Sequence, residues 1–455
     1  MKTFSFKDIL KIRTLLVGII FLLLPFELYP HVNIQNVTIR MSQVAGFILI
    51  ITCLPTIFEN WRDWLKKPWL LLGVFIVASG VSSLFAISKY RGLQVTAFYA
   101  FDFLLAYAFM LSFDLKYSKV YKNIIIISGL VVAAFCLYQF FGDSFGILNK
   151  YTLLLSRYTK EIFGFPRIQG FSLEPLYLAS YLFIPLSLTL SLYIFTKKKY
   201  MLFISGLFSL LILLTVARGA YFALLGIVVF AIFILAKKHQ YIEIIYVLAT
   251  GLISILAMLG LVSLSGSIGS HNLKTTIVNQ NSEPNLPDQT VNSSGNANRL
   301  IHHIDSFGSD QSFADRVRTA RVATTLGINH PILGVGPGNF GRYVVEKYPN
   351  NYSDTNQIVN NEPAEIFAET GLIGLILFII FIIWLASQII KYDLNKNKKE
   401  NNMWFFATSF MLLAFAIQWQ TFSTLYITHI WVMIGIFIYL VSNSKFKKRI
   451  FDGKS

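Results

Sequence analysis

The chain has 455 residues, of which 55% are hydrophobic and 14% charged, with a formal charge of +16. Soluble domains carry roughly a quarter charged residues and lack apolar runs of helix-spanning length, so an ordinary globular enzyme is excluded and one dispersed membrane domain over 1–455 is expected. The positive balance sits mainly in short loops between apolar segments, which suits orientation and contact with membrane lipids; nucleic acid is not an expected partner.

A membrane-spanning helix needs about 20 mostly apolar residues. In chain order, segments near 14–30, 40–58, 69–87, 92–112, 123–141, 174–195, 200–217, 220–236, 241–264, 370–390, 403–420 and 427–443 qualify. The first follows a basic start but is not followed by a small-residue cleavage site, so it reads as a helix rather than a signal peptide. Cys53 and Cys136 lie inside apolar segments without metal-ligand spacing, and packing is their expected role. Asp102 falls in the middle of the fourth segment. Intramembrane acids are functional candidates by default; a bond to a neighbouring helix is the reading favoured here.

Orientation follows from Lys and Arg. With the N-terminus in the cytoplasm, the inner loops hold 24 of the 39 basic residues and the shorter outer segments 8. That asymmetry predicts both termini in the cytoplasm of a bacterial plasma (inner) membrane protein, and the even span count agrees.

Two outer segments are long: 142–173, and 266–363 between the ninth and tenth spans. Within the second, 271–298 is rich in Asn, Ser, Pro and Gln and is expected to be flexible, whereas 313–363 is expected to be ordered. Phe313 to Leu326 has helical spacing. His330 to Phe340, HPILGVGPGNF, reads as a tight turn that packs the stem of this segment onto the membrane domain. A nucleotide-binding loop would need a strand before it and a helix after it. No internal repeat is visible, which disfavours transporters built from duplicated halves.

The polar residues left after this sorting form a basic set at the predicted outer face. Arg167 lies in RIQGFSLEP, Arg218 in TVARGAY, and Arg316, Arg318 and Arg321 share the helix of the long segment, with the last two able to share a face. Guanidinium gives planar, bidentate, permanently charged contacts, so such a cluster suits a phosphate or diphosphate. Blander readings exist for each. Arg218 snorkels to headgroups, the three helix arginines form a solvated face, and Arg167 pairs with Glu174. Glu174 opens a span directly before Pro175, where it serves as a helix cap or, functionally, as a general base or the carboxylate that orients an arginine. His302, His303 and Asp305 look like fragments of a metal site without a further spaced ligand, so no metal is expected.

The order Arg167…Glu174-Pro175, Ala217-Arg218-Gly219-Ala220, Arg316, HPILGVGPGNF and NNEPAEIFAETGLIG resembles the O-antigen ligase and O-antigen polymerase superfamily of bacterial envelope enzymes. The resemblance covers roughly 165–390; the first five spans match only in layout. It implies an all-α, GT-C-like, polytopic fold of about 12 transmembrane helices with the long non-cytoplasmic loop between spans 9 and 10. It also implies a metal-independent glycosyltransferase without cofactor or nucleotide sugar. The donor would be a glycan on undecaprenyl diphosphate, transferred to the hydroxyl of an acceptor glycan. Assembly proteins such as a flippase or chain-length regulator would be partners. In this reading Arg218, Glu174 and Arg316 are catalytic, while Arg167, Arg318, Arg321, His330, Asn360 and Asn361 bind substrate. Ligases of the family carry a His–Asn pair about ten residues before a Glu-x-Gly. Here Asn360 and Asn361 occupy those positions, which shifts the expectation from ligase to polymerase. His330 belongs to the His-Pro turn and is not that histidine. The competing readings are an O-antigen ligase acting on lipid A-core, a lipid-linked oligosaccharide transporter, and a non-catalytic assembly protein.

Overall fold

The computed structural model describes residues 6–28, 31–34, 37–269, 311–394 and 396–442. The expected flexible stretch 271–298 and the trio His302, His303 and Asp305 lie outside the described residues. In chain order the helices are α1 Phe6–Leu23, α2 Met41–Glu59, α3 Trp69–Leu84, α4 Lys89–Ser112, α5 Ser118–Ser144, the short α6 Asn149–Thr152 and α7 Lys160–Phe163, and α8 Pro175–Thr196. They continue with α9 Lys199–Leu214, α10 Arg218–Lys237, α11 Tyr241–Gly269, α12 Gln311–Asn329, α13 Phe340–Lys347, α14 Glu362–Lys391, α15 Lys399–Gln418 and α16 Thr428–Val441. Each segment read as a span from sequence carries a helix, though not each is long enough to cross a membrane.

Among the described residues, seven helices are long and apolar enough to cross a membrane by length and composition: α2, α4, α8, α10, α11, α14 and a stretch that includes α5. The apolar helices α3, α9 and α16 are shorter. This is a multi-pass membrane protein. One departure from an all-helical expectation is a small antiparallel hairpin, β1 His31–Ile34 paired with β2 Val37–Arg40, with His31 opposite Arg40. The alternating residues of HVNI and VTIR suit a ladder, and the stretch is too short and polar for helix.

The bundle is organised around α8, whose side chains from Pro175 to Ile194 are all buried. α8 packs against α9 and α15, α16 against α4, and α10 against α15. Small hydroxyl residues allow these approaches: Ser191 of α8 donates to the Met403 carbonyl of α15 at 2.7 Å, and Ser128 of α5 lies 2.8 Å from the Tyr181 hydroxyl of α8. Cys53 and Cys136 are free and buried, as packing residues should be.

Most of the irregular structure gathers at one end of the bundle, where 145–174, 215–217, 330–361 and 419–427 meet. A satellite core of Ala323, Leu326, Val335, Phe340, Val344, Val359 and Ala368 joins α12, α13 and the start of α14. The helix expected at Phe313 to Leu326 runs from Gln311 to Asn329.

The glycine-rich turn does fasten this stem to the bundle. Gly334, Gly336 and Gly338 all have positive φ, the backbone region where a side chain is disfavoured. Val335 and Gly336 N–H groups donate to the carbonyls of Ala368 and Glu369, both at 2.9 Å. Ser82 at the end of α3 donates to the carbonyls of Leu333 and Glu369. The Ser88 N–H donates to Asn339 Oδ1 at 2.9 Å.

The tenth predicted span was placed at 370–390. Here α14 starts eight residues earlier and kinks at Gly371, whose φ of 65° and ψ of −163° interrupt the helix. The arm before the kink carries three buried glutamates, each used to hold another segment. Glu362 accepts the N–H groups of Thr424 and Leu425, at 2.5 and 2.9 Å. Glu365 accepts Val359 N–H at 2.8 Å and Ser423 Oγ at 2.6 Å. Glu369 accepts Gly338 N–H at 2.7 Å and Phe340 N–H at 3.1 Å. Buried carboxylates are tolerated when hydrogen bonds of this kind satisfy them.

Candidate functional site

A cavity of about 430 Å³ opens where these segments converge. Five pieces of chain build its walls. The 142–173 loop and the start of α8 give Tyr158, Phe163, Arg167 and Glu174; the α9–α10 turn gives Val216, Ala217, Arg218 and Gly219. α12 and the segment before α14 give Arg316, Val317, Ala320, Asn360 and Asn361, and the α15–α16 turn gives Gln420 and Thr421. Thus six residues singled out from sequence, Arg167, Glu174, Arg218, Arg316, Asn360 and Asn361, line one cavity. Three guanidinium groups and one carboxylate make it electropositive.

Arg167 is fixed by its surroundings. Its Nε donates to the Thr215 carbonyl at 2.6 Å, and its guanidinium lies over the rings of Tyr158 and Phe163, 5.4 and 5.6 Å from their centroids. Burial pushes this guanidinium below its ordinary range, and the positive charge of Arg316 acts in the same direction. Nearby Tyr158, Tyr221 and Glu174 oppose the shift. The predicted Arg167–Glu174 pair is not formed: Glu174 instead takes Arg157, whose Nη2 donates to Oε1 at 3.3 Å. Arg157 also stacks over Tyr158, 4.9 Å from the ring centroid. This pairing is created by the fold of the 142–173 loop, and no local pattern in the sequence marks it.

Glu174 is indeed the N-cap residue of α8, but its carboxylate makes no capping bond. Pro175 suits the first helical position, where its missing N–H is not needed. The carboxylate is turned instead towards Arg157 and the cavity.

Arg218 is the first residue of α10. A cation there lies at the positive end of the helix dipole, a placement the dipole itself disfavours. Two residues earlier, Val216 has a φ of 50°, a rare conformation for a β-branched side chain. Strain and an unfavourably placed charge at neighbouring positions are characteristic of functional sites. The turn is held by Arg167 on Thr215 and by Tyr221 Oη, which donates to the Leu213 carbonyl at 2.7 Å.

Asn360 and Asn361 have backbone reasons to be asparagine. Asn360 has a φ of 61°, in the left-handed region that Asn tolerates well. Asn361 caps α14, its Oδ1 accepting the Ala364 N–H at 3.0 Å, while Nδ2 donates to the Gln420 carbonyl at 3.0 Å. Replacing Asn361 by Ala should cost about 1 kcal/mol of stability, as for other N-caps. A thermal unfolding midpoint measured in detergent should fall by a few degrees; an unchanged midpoint would remove the capping role.

The remaining sequence candidates sit elsewhere. Arg318 is exposed, pairs with Asp315 at 3.0 Å and lies over the Tyr352 ring; Arg321 is also exposed. Neither lines the cavity, because Arg316, Val317 and Ala320 occupy the inward face of α12. His330 is exposed, with Nε2 at 3.5 Å from the Tyr343 hydroxyl, and does not line it either. Asp102 is buried, but neither carboxylate oxygen has a hydrogen-bond partner, so the expected bond to a neighbouring helix is not formed. Sequence reasoning passed over Gln420 and Thr421, which look like an ordinary connection between two apolar segments.

Comparison with known proteins is consistent with this geometry. Residues 200–379 match the family model described as O-antigen ligase, which supports assigning the chain to the O-antigen ligase and polymerase superfamily. No curated protein matches the chain. The matched segment holds Arg218, Arg316, Asn360 and Asn361; Arg167, Glu174, Gln420 and Thr421 lie outside it.

Proposed function

We propose that this chain, assigned by that match to the O-antigen ligase and polymerase superfamily, transfers a glycan from undecaprenyl diphosphate to a sugar hydroxyl at the outer face of the bacterial plasma membrane, polymerising polysaccharide repeat units. The observation that carries the reading is the convergence of Arg167, Arg218 and Arg316 with Glu174 on one cavity. The bias of basic residues supports twelve spans with both termini in the cytoplasm, which turns the cavity towards the outer leaflet.

Arg218 and Arg316 grip the diphosphate, with Arg167 positioning the glycan beside it. As the bond from the anomeric carbon to the phosphate oxygen breaks, negative charge grows on the diphosphate, and a preorganised donor aimed there contributes roughly 3 kcal/mol. The acceptor oxygen forms the new bond to the anomeric carbon. Its proton passes to the Glu174 carboxylate, which Arg157 holds at the cavity. The polyprenyl tail lies between apolar helices. Asn360 stands where the ligases of the resemblance have histidine; amide nitrogen is not a general base, and this favours polymerase over ligase.

Purified protein incubated with a defined undecaprenyl-diphosphate-linked repeat unit, with and without lipid A-core, tests the proposal. A ladder of products is expected. A single capped product on lipid A-core would make it a ligase, and movement of the lipid across liposomes without joining of units would make it a transporter.

A further inference from the structure

The cavity is lined by two chemically different sets of residues. Beside the guanidinium groups, the uncharged Asn360, Asn361, Gln420 and Thr421 line the cavity. Two of these side chains are already committed. Asn361 uses both ends of its amide, on the Ala364 N–H and the Gln420 carbonyl. The Thr421 hydroxyl donates to the Gln418 carbonyl at 3.1 Å and stands so close to Gly219 that a Cβ there would lie 1.9 Å from it. Gln420 is different. It is exposed at the cavity, and among the described residues its side-chain amide makes no hydrogen bond.

The turn that presents Gln420 is clamped. The Glu362 N–H donates to the Trp419 carbonyl at 2.8 Å, and the buried Glu362 carboxylate accepts the N–H groups of Thr424 and Leu425. Ser423 donates to Glu365, and the Trp419 indole N–H donates to Thr424 Oγ1 at 2.8 Å. A primary amide offers two donors and one acceptor to vicinal hydroxyls. On a rigid turn it binds with little loss of conformational freedom.

We infer that Gln420 is a glycan-reading residue: its side-chain amide hydrogen-bonds sugar hydroxyls of the lipid-linked saccharide, and Glu362 is the positioning residue that holds its turn. This rests on the proposed transfer reaction and adds a saccharide subsite in the same cavity as the diphosphate grip. The subsite takes a neutral, hydroxyl-bearing sugar ring, since amide groups rather than charges line it.

The test measures binding to the full-length protein in nanodiscs with two probes, bare undecaprenyl diphosphate and the same lipid carrying one repeat unit. In the parent protein the glycan-bearing lipid is expected to bind more tightly. Gln420→Ala should reduce that advantage about tenfold, the effect of one or two lost hydrogen bonds, and Glu362→Gln should reduce it in the same direction by loosening the turn. Gln420→Glu, which keeps the shape and one acceptor, should retain part of it. An advantage undiminished in Gln420→Ala overturns the inference while leaving the diphosphate grip standing. Failure of the parent protein to bind either lipid overturns the transfer reading itself, and the saccharide subsite with it.

Discussion

Arg218→Ala should abolish chain extension in a polymerase-null strain while the protein still inserts in the membrane at normal levels. The side chain begins α10 beside a strained Val216 and faces a cavity that also holds Arg167 and Arg316. Removing one preorganised donor from a developing oxyanion typically costs 100-fold to 1,000-fold in rate, about 3–4 kcal/mol. The substitution shortens a half-exposed side chain and improves helix propensity at the start of α10, so the membrane fold should be retained. Lysine at the same position should restore only part of the activity, because an ammonium is a point charge and cannot reach two phosphate oxygens in a planar fork. Full-length polysaccharide from Arg218→Ala cells, scored on a gel, would remove this residue from the mechanism.

The second large effect is expected on stability, from Gly371→Ala. Its φ of 65° and ψ of −163° lie in a region open essentially to glycine alone. An added Cβ would stand 2.4 Å from the Ile332 carbonyl oxygen and 2.5 Å from its carbon. Backbone atoms cannot swing aside as a side-chain tip can. The Leu372 N–H also donates to the Pro331 carbonyl across this contact at 2.7 Å. The conformational cost of about 1–3 kcal/mol adds to the steric one, for a loss of 3 kcal/mol or more. The unfolding midpoint in detergent should drop sharply, and transfer should fail with it, since the kink fixes the arm that carries Asn361 and Glu362. Gly251→Ala, in the middle of α11 with nothing within 4 Å of the new methyl, is the control. It should be neutral or slightly stabilising. Equal behaviour of the two variants would mean that the kink is not required.

These outcomes bear on what could be read from the residues alone. Spans are legible because hydrocarbon thickness fixes a length and lipid forbids unpaired backbone, so position along the chain becomes position in the bundle. Arg167, Arg218, Arg316 and the two asparagines were legible through their motifs and because charge at a span end demands a reason. Partnerships were not. Glu174 takes Arg157 rather than Arg167 because the loop between them folds back and Arg167 is held on the Thr215 carbonyl. Arg318 and Arg321 were grouped with Arg316 by spacing, yet one helix face points inward and theirs points out. The roles of Glu362, Glu365 and Glu369 were hidden for a different reason. Each accepts hydrogen bonds from backbone far along the chain or from a turn, and no local pattern marks which N–H groups lack a partner. Gln420 belongs to the same class: its meaning comes from the turn that Glu362 and Glu365 hold still.

The glycine-rich turn and Glu369 together have an electrostatic consequence for where phosphate settles. Successive N–H groups in such a turn form a concave surface that draws anions. Here the tethered carboxylate of Glu369 already occupies it, bonded to Gly338 and Phe340. Those N–H groups are thereby satisfied in advance by a side chain that cannot diffuse away. An incoming diphosphate gains nothing by landing there and is left to the arginine-lined cavity, so a decoy has been silenced from within the chain.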